Sequence, residues 1–206
     1  MENKFLLVLG TNNAKKRTEL IRLLDSSEID LKSLPDFDPI PEAEESGTTF
    51  AENAEIKATY YAKALGEWVL AEDSGLSVQA LNGAPGVYSA RFSGANATDQ
   101  SNNELLLEKL ADVPAEKRNA WYTCHISLSD SKGKIHARSE ARCHGMILKQ
   151  PIGKAGFGYD PLFQIPEYHR TFAEVGESVK SVLSHRGRAY RKLLPQLLSI
   201  IRCAKI

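Results

Sequence analysis

The order of apolar and polar residues at the start of the chain predicts a strand followed by a helix. Phe5–Leu9 is an uninterrupted apolar run typical of a buried strand, and the polar segment Gly10–Asn13 ends it. Leu20, Leu23 and Leu24 then recur at the spacing of one helix face. A strand, a polar turn and a helix in this order indicate an α/β unit.

A second helix is predicted from its end signals. Thr49 and Glu52, three residues apart, form a capping box, and Gly66 is a typical stop after Leu65. Between these signals, apolar residues recur at spacings of three and four, as expected for one buried helix face. They are Phe50, Ala54, Ala58, Tyr61 and Leu65.

The next apolar run, Val69–Ala71, predicts a short buried strand that ends in a turn at Glu72–Gly75. Asp, Ser and Gly are common turn residues, so this tetrapeptide has an ordinary structural interpretation. Adjacent carboxylates at the end of a buried strand are also costly unless a cation or a proton compensates them. The tetrapeptide alone leaves both interpretations open.

The second half of the chain predicts one more helix, a hairpin and a C-terminal helix. Thr98 is expected to cap a helix that ends near Leu110, and Ala120–Ser129 and Lys134–His144 are expected to form an antiparallel ribbon. Pro195 is expected to kink or divide the last helix. We therefore predict one α/β domain over residues 1–206, with a mixed sheet flanked by helices and two lobes around a central nucleotide-binding cleft.

Composition and charge exclude several classes of protein. The chain has 206 residues, 42% of them hydrophobic and 25% charged, which is typical of a globular protein. It has 26 basic and 26 acidic residues and a formal net charge of zero, which argues against binding long nucleic acids. No apolar stretch approaches the about 20 residues of a membrane helix, and the N-terminus lacks a signal-peptide pattern.

The three cysteines, Cys124, Cys143 and Cys203, are scattered without a paired spacing, so neither a disulfide framework nor a zinc site is predicted. Cys124 and His125 are neighbours on a strand and point to opposite faces, so they cannot bind one metal together. We expect a cytoplasmic protein.

Several weaker signals together suit a nucleoside triphosphate. One of Lys15 and Lys16, at the start of the first helix, is a candidate phosphate ligand, and the other is expected to be a solvated residue. Carboxylates at Glu45, Glu72 and Asp73 suit a hard cation. The segment Gly153–Pro161 carries aromatic rings between glycines, which suits stacking on a base. A late basic group completes the set with Lys180, His185 and Arg186.

In five segments, this sequence resembles the inosine triphosphate pyrophosphatase family, which acts on noncanonical purine nucleoside triphosphates. The segments follow the order and spacing of the family and cover essentially the whole chain. They are TNNAKK (Thr11–Lys16), EESGTTFAENAEIKA (Glu44–Ala58), AEDSGLSVQALNGAPGVYSARFSG (Ala71–Gly94), GFGYDPLF (Gly156–Phe163) and SHRGRA (Ser184–Ala189).

The resemblance implies hydrolysis of ITP, dITP and XTP to the monophosphate and pyrophosphate, with Mg²⁺, in a homodimer. It implies that Asp73 is the proton acceptor for the attacking water and that Glu45 and Asp73 bind the metal, with Glu72 as a further candidate. The implied substrate-binding residues are Thr11, Asn12, Asn13, Ala14, Lys15, Lys16, Ser74, Phe157, Gly158, Tyr159, Asp160, Lys180, His185 and Arg186. Among them, Lys16 is the implied functional lysine and Phe157 the stacking ring.

Two residues depart from the commoner family pattern: Asn12 stands where glycine is frequent, and Glu72 where aspartate is. Two other functions stay open. One is a pyrophosphatase for other modified nucleotides, and the other is a nucleotide-binding module without hydrolysis. The acidic residues argue against the second, because they would repel phosphates unless a metal is bound.

Overall fold

The computed structural model describes residues 4–24 and 28–204. Its helices and strands alternate along the first half of the chain. In chain order they are β1 (Phe5–Leu9), α1 (Ala14–Leu23), β2 (Ile29–Ser33), α2 (Phe50–Leu65), β3 (Val69–Val78), α3 (Asp99–Lys109), β4 (Asn119–Ser129), β5 (Ile135–Ile147), β6 (Phe163–Ile165), β7 (Arg170–Thr171), α4 (Phe172–Leu183) and α5 (His185–Ala204).

The strands form one mixed seven-stranded sheet in the order β2-β1-β3-β4-β5-β6-β7. β1 pairs in parallel with β2 and with β3, whereas β5–β6 and β6–β7 are antiparallel. The mixed α/β fold class and the predicted hairpin are confirmed. The hairpin turn is closed by hydrogen bonds from the Asp130 amide to the Lys134 carbonyl, 3.0 Å, and from the Gly133 amide to the Asp130 carbonyl, 2.9 Å.

The local end signals of the helices are also confirmed. The Thr49 hydroxyl accepts a hydrogen bond from the Glu52 amide, and Gly66 ends α2 with a left-handed φ of 69°. Thr98 caps α3 in the same way, and Leu110 follows the last residue of that helix. These are contacts between residues close in sequence, which explains why the sequence alone predicts them.

The predicted end of the third strand is wrong. β3 continues through Glu72–Gly75 to Val78, so the tetrapeptide is part of a strand and is not a turn. β3 is part of the seven-stranded sheet, and this tertiary context overrides the turn preference of Asp, Ser and Gly. Strand alternation, rather than a turn, therefore sets the directions of Glu72 and Asp73.

The C-terminal region also differs from the prediction. α5 continues from His185 through Pro195 to Ala204, so Pro195 does not divide it. The division lies earlier, at Ser184, whose ψ of 158° separates α4 from α5. Gly176 interrupts α4 itself with a non-helical φ of 76°. The sequence analysis did not predict α4 or the short strands β2 and β7.

The chain divides into two compact units. Unit 1 comprises residues 1–73, 124–141 and 188–206, and unit 2 comprises residues 74–123 and 142–187. In unit 1, Leu7 and Leu9 of β1 pack in one core with Leu193 and Leu197 of α5. In unit 2, the core contains two stacked rings, Phe163 and Phe172, whose centroids are 5.2 Å apart. Two lobes around a central cleft stay a prediction.

Two of the cysteines belong to these cores. Cys124 is buried in the core of unit 1, and Cys143 is buried in that of unit 2. Among residues 4–24 and 28–204, no helix combines the length and the apolar character that crossing a membrane requires.

Candidate active site

The loop between β1 and α1 begins at Gly10, whose backbone lies close to side chains of β3. A Cβ at Gly10 would lie 2.9 Å from Cγ1 of Val69 and 3.1 Å from Cβ of Ala71, so a larger residue would push β1 away from β3. The hydroxyl of Thr11 accepts a hydrogen bond from the Asn13 amide, 3.2 Å. Asn12 donates through its side chain to Glu42, 3.2 Å. The segment is thus held in one conformation by its own polar residues.

Asn13 is the N-cap of α1. Its side-chain oxygen accepts hydrogen bonds from the amides of Lys15 and Lys16, each at 3.0 Å. The side chain therefore fixes the first turn of the helix, where Ala14 is the first helical residue. This places the predicted phosphate-binding segment at a helix N-terminus, where partial positive charge favours anions.

Lys15 and Lys16 differ in their environment. Lys15 is exposed, whereas Lys16 is partly buried and its ammonium lies 3.5 Å from Oε1 of Glu72. The Glu72 side chain is fully buried, and its other oxygen accepts a hydrogen bond from the Cys124 thiol at 3.4 Å. A buried carboxylate thus holds Lys16, which supports the choice of Lys16 over Lys15.

An acidic–lysine cluster, defined as Glu45, Asn53, Lys57 and Asp73, lies on the other side of β3. The Lys57 ammonium is 2.7 Å from Oδ1 of Asp73 and 3.2 Å from Oε2 of Glu45. The Asn53 amide contacts Oδ2 of Asp73 at 3.5 Å. Glu45 and Asp73, predicted from distant parts of the sequence, therefore meet at one cation.

α2 and a glycine position this cluster. Asn53, Lys57 and Tyr61 lie at intervals of four residues on the buried face of α2. Oδ1 of Asn53 accepts a hydrogen bond from the Gly47 amide, 2.9 Å, and a Cβ at Gly47 would lie only 2.6 Å from that oxygen. Gly47 therefore lets the acidic loop approach α2 closely enough for Glu45 to reach Lys57.

The two neighbouring carboxylates of β3 point to opposite faces of the sheet. Val69 packs in the hydrophobic cluster that contains Tyr61 of α2, whereas Leu70 packs in the cluster that contains Leu20 of α1. Side chains alternate along a strand, so Asp73 points to the same face of the sheet as Val69, and Glu72 points to the same face as Leu70. Glu72 and Asp73 are therefore not a pair of repelling carboxylates, because each has its own lysine partner.

Burial and charge act in opposite directions on Asp73. Burial raises the pKa of its carboxyl, and the positive charges of Lys57 and Lys16 lower it, with a net pKa above the usual value. Burial lowers the pKa of Lys57, but the charges of Asp73 and Glu45 outweigh it and raise that pKa overall. Lys57 is thus held as a cation next to a carboxyl with increased proton affinity, which suits a proton acceptor.

In unit 2, the glycine loop, defined as Gly156–Asp160, is tied to a buried carboxylate. Oδ2 of Asp160 accepts hydrogen bonds from the Phe157 amide, 2.9 Å, and from the Lys180 ammonium, 2.6 Å. A Cβ at Gly156 would collide with the same oxygen, and Gly156 also has a φ of 79°. The loop can fold over Asp160 only because this residue is glycine.

Two cations lie against the Phe157 ring. The Lys180 ammonium is 4.4 Å from the ring centroid, and Cζ of the Arg186 guanidinium is 5.7 Å from it. Arg186 also donates a hydrogen bond to the Ser74 hydroxyl, 3.2 Å. Five residues predicted from separate segments of the sequence therefore meet in unit 2: Ser74, Phe157, Asp160, Lys180 and Arg186.

His185 and Tyr159 are buried next to this group. The His185 ring stacks on Tyr122, with centroids 4.6 Å apart and ring planes 8° apart. The Tyr159 hydroxyl donates to the Ser89 carbonyl, 2.8 Å, which ties the glycine loop to another segment. Burial raises the pKa of Tyr159, so this hydroxyl keeps its proton.

Lys57 and Tyr122 are among the residues that contact predicted site residues and that the sequence did not single out. Lys57 joins Glu45 to Asp73, and its signal was available as a polar residue at helical spacing on the buried face of α2. Tyr122 supports His185, and it carries no local signal because it is one of several apolar residues in β4.

The acidic–lysine cluster and the cations around Phe157 define a class of protein together with the fold. It is an α/β protein with two carboxylates at one lysine, further lysines at a helix start and an aromatic ring flanked by cations. Comparison with known proteins identifies the family. The Ham1 family model matches residues 7–196, and the chain belongs to this family.

Relatives match over nearly the whole chain. A dITP/XTP pyrophosphatase from Rhodopirellula baltica is 52% identical over 202 residues, which cover 98% of this chain and 97% of the relative. A HAM1 protein from Coxiella burnetii superposes with a TM-score of 0.87 at 40% identity and covers 95% of this chain and 99% of its own. A nucleoside-triphosphatase / dITP/XTP pyrophosphatase from Mycobacterium abscessus has a TM-score of 0.75 at 42% identity, covering 93% of this chain and 100% of its own.

Proposed function

We propose that this protein hydrolyses the noncanonical purine nucleoside triphosphates ITP, dITP and XTP to the monophosphate and pyrophosphate, and so keeps them out of DNA and RNA. The observation that carries the proposal is the convergence of Glu45 and Asp73 on one ammonium, that of Lys57. The names of the similar proteins, which include dITP/XTP pyrophosphatases at 52% and 48% identity, support the same activity.

Glu45 and Asp73 are suitable ligands for Mg²⁺. Their carboxylates already share a cation, and Mg²⁺ is usually bound by one or two carboxylates together with water and phosphate oxygens. Among the described residues, no group of three or more His, Cys, Asp or Glu side chains could hold a metal ion. A bound Mg²⁺ would supply positive charge against the phosphate oxygens. Glu72, the further candidate from the resemblance, contacts Lys16 and Cys124, and we do not include it in the proposed metal site.

The reaction needs a proton acceptor and cations for the leaving group. We assign Asp73 as the acceptor: it takes a proton from water while the water oxygen bonds to the α-phosphorus. The bond from the α-phosphorus to the bridging oxygen breaks, and pyrophosphate leaves with the electron pair. Lys16, at the start of α1, and Lys57 are positioned to neutralise phosphate charge, as compact cations do.

We assign the residues around Phe157 to recognition of the purine base of the substrate. Phe157 offers a ring for stacking on the purine, and Arg186 and His185 are the candidate donors for an oxygen at position 6 of the base. Adenine has an amino donor at that position, so a donor in the site would disfavour ATP. Ser74, a further implied substrate-binding residue, contacts Arg186 of this group.

The proposal is tested with a panel of nucleotides. With Mg²⁺, we expect pyrophosphate release from ITP, dITP or XTP at a kcat/KM far above that for ATP or GTP, by roughly 100-fold or more. Equal values on all five nucleotides would contradict the specificity. A preference for other modified nucleotides would favour the alternative substrate class. Binding without turnover would favour a nucleotide-binding module.

The role of Asp73 has a matched test. Asp73→Asn should lower kcat by roughly 100-fold or more, because an amide cannot accept the proton, while the far-UV circular dichroism spectrum stays unchanged. Glu44→Gln, one residue before Glu45 and exposed to solvent, is the control and should keep full activity. Near-normal turnover in Asp73→Asn would exclude this residue as the proton acceptor.

The cytoplasm as the location of the protein stays a prediction.

A further inference from the structure

Beyond the residues assigned above, one side chain of α3 contacts the glycine loop. The side-chain nitrogen of Asn103 donates a hydrogen bond to the Gly158 carbonyl, 3.0 Å. The two residues are 55 positions apart in the sequence. Gly158 directly follows Phe157, so this bond fixes the peptide group next to the proposed stacking ring.

The Gly158 carbonyl lies at a point where the chain needs support. Gly158 has a left-handed φ of 60°, which glycine adopts without strain but also leaves without cost. On its two sides, the loop is held by Asp160, which accepts from the Phe157 amide, and by the Tyr159 hydroxyl, which donates to Ser89. Asn103 holds the residue between these two anchors.

The side-chain oxygen of Asn103 indicates that this residue does more than pack against its neighbours. Its side-chain oxygen is buried and has no hydrogen-bond partner in the part of the chain that the structure describes. A buried acceptor without a partner destabilises a protein, so an apolar residue of similar size would suit this position better for stability. What Asn103 supplies in return is the donor to Gly158.

The neighbouring residue shows a different pattern. Asn102 uses both ends of its amide: its nitrogen donates to the Ala90 carbonyl, 3.2 Å, and its oxygen accepts from the Ser93 amide, 2.8 Å. Asn102 therefore has the fully satisfied contacts of a structural residue, and it does not contact the glycine loop in these bonds. Asn103 instead joins α3 to the backbone of the glycine loop by a hydrogen bond.

We propose that Asn103 is a positioning residue for base recognition. It acts through the Gly158 carbonyl, which it holds so that Phe157 keeps the ring orientation that stacks on the purine. This proposal rests on the proposed function, because it takes the glycine loop as the binding site of the base. It predicts that Asn103 affects the binding of the base and leaves the binding of the phosphates unchanged.

The test compares probes for the two parts of the substrate. In Asn103→Leu, KM for ITP and the Kd of IMP should rise roughly 2- to 10-fold, the value of one hydrogen bond. The inhibition constant of tripolyphosphate, which has no base, should stay the same, and kcat should change little. Gln100→Ala is the control on the same helix, because the Gln100 side chain is exposed and donates to Glu104, 2.8 Å, and all constants should stay at wild-type values.

A second variant keeps the test decisive if Asn103→Leu does not fold. Asn103→Asp retains the shape of the side chain but turns the donor into an oxygen that repels the Gly158 carbonyl, so it should raise the same constants at least as much. Unchanged KM and IMP affinity would overturn the proposal, as would equal losses for IMP and tripolyphosphate. Failure of the proposed function would appear separately, as wild-type enzyme without a preference for ITP.

Discussion

Glu72 and Asp73 illustrate how neighbouring residues acquire different roles. Both are buried, yet the first contacts Lys16 and Cys124 and the second contacts Lys57 and Asn53. The cost of burying each carboxylate is offset by a lysine on its own face of β3. The acidic pair in the sequence is therefore two separate ion pairs in the structure.

This separation gives a testable role to Glu72. Glu72→Gln should raise KM for ITP about two- to fivefold, because Lys16 loses the charged partner that holds its flexible side chain. The Mg²⁺ concentration that gives half-maximal activity should not change, because Glu72 points away from the Glu45–Asp73 side. Steady-state kinetics across a series of Mg²⁺ concentrations measures both quantities.

A metal ligand at Glu72 would give the opposite result. The half-maximal Mg²⁺ concentration would then increase severalfold, and the KM extrapolated to saturating Mg²⁺ would recover. Lys16→Ala and Lys15→Ala are the matched pair for this experiment: only the first should reproduce the higher KM of Glu72→Gln, since Lys15 is exposed.

At the scale of elements, α2 carries the acidic–lysine cluster, so its N-terminal cap matters for the site. The Thr49 hydroxyl accepts from the Glu52 amide, 3.2 Å, while the Glu52 carboxylate accepts from the amides of Thr48, 2.7 Å, and Thr49, 3.0 Å. These bonds satisfy donors that the first turn of a helix leaves without partners. They fix the start of the helix directly after the acidic loop.

Removing this cap should lower stability without changing the chemistry. Thr49→Ala should reduce the free energy of unfolding by about 1 kcal/mol in urea denaturation at pH 7. Thr48→Ala is the control: it removes only the hydroxyl contact to Glu52 at 3.0 Å and leaves the Thr49 cap, so its effect should be smaller. An equal loss in both variants would contradict the capping role of Thr49.

The cap also makes a prediction about pH. Several hydrogen bonds lower the pKa of Glu52, and the bond from the Thr48 amide has the largest effect. A carboxyl with a lowered pKa in the folded state contributes stability above its unfolded pKa and loses it as the pH falls through the folded value. The difference in stability between wild type and Glu52→Gln should therefore decrease on acidification, which urea denaturation at several pH values measures.

At the scale of the whole molecule, the oligomeric state is the property to test. The resemblance in sequence implies a homodimer, and sedimentation velocity should accordingly give a species with twice the mass of one chain at micromolar concentration. A monomer at concentrations where the enzyme is fully active would contradict this expectation and would show that one chain is sufficient for turnover.

Much of the fold and of the candidate site was predictable from local sequence. β1, α1, α2, α3 and the hairpin follow from periodicity and from end signals within a few residues. The predictions of these elements are confirmed because each depends on residues that are close in sequence. The matched family segments and the late basic group also point to Glu45, Asp73, Phe157, Lys180 and Arg186 as site residues, and these assignments stay predictions.

What failed depends on residues far apart in the chain. β3 continues through Glu72–Gly75 as part of the sheet, and neighbours in a sheet are not visible in a tetrapeptide. Tyr122 and Asn103 carry no chemical motif of their own, and Lys57 is marked only by its helical spacing on the buried face of α2. Their roles follow from the side chains or carbonyls that the fold brings to them.

The sequence by itself determined which residues could provide charge, a stacking ring and helix starts, because residue type and local spacing decide these properties. Only the tertiary structure decided how they are grouped. It separated Glu72 from Asp73 by strand alternation and joined Glu45 to Asp73 through Lys57. It also tied the glycine loop to Asn103, because hydrogen bonds and ion pairs act over a few ångströms in space whatever the distance along the chain.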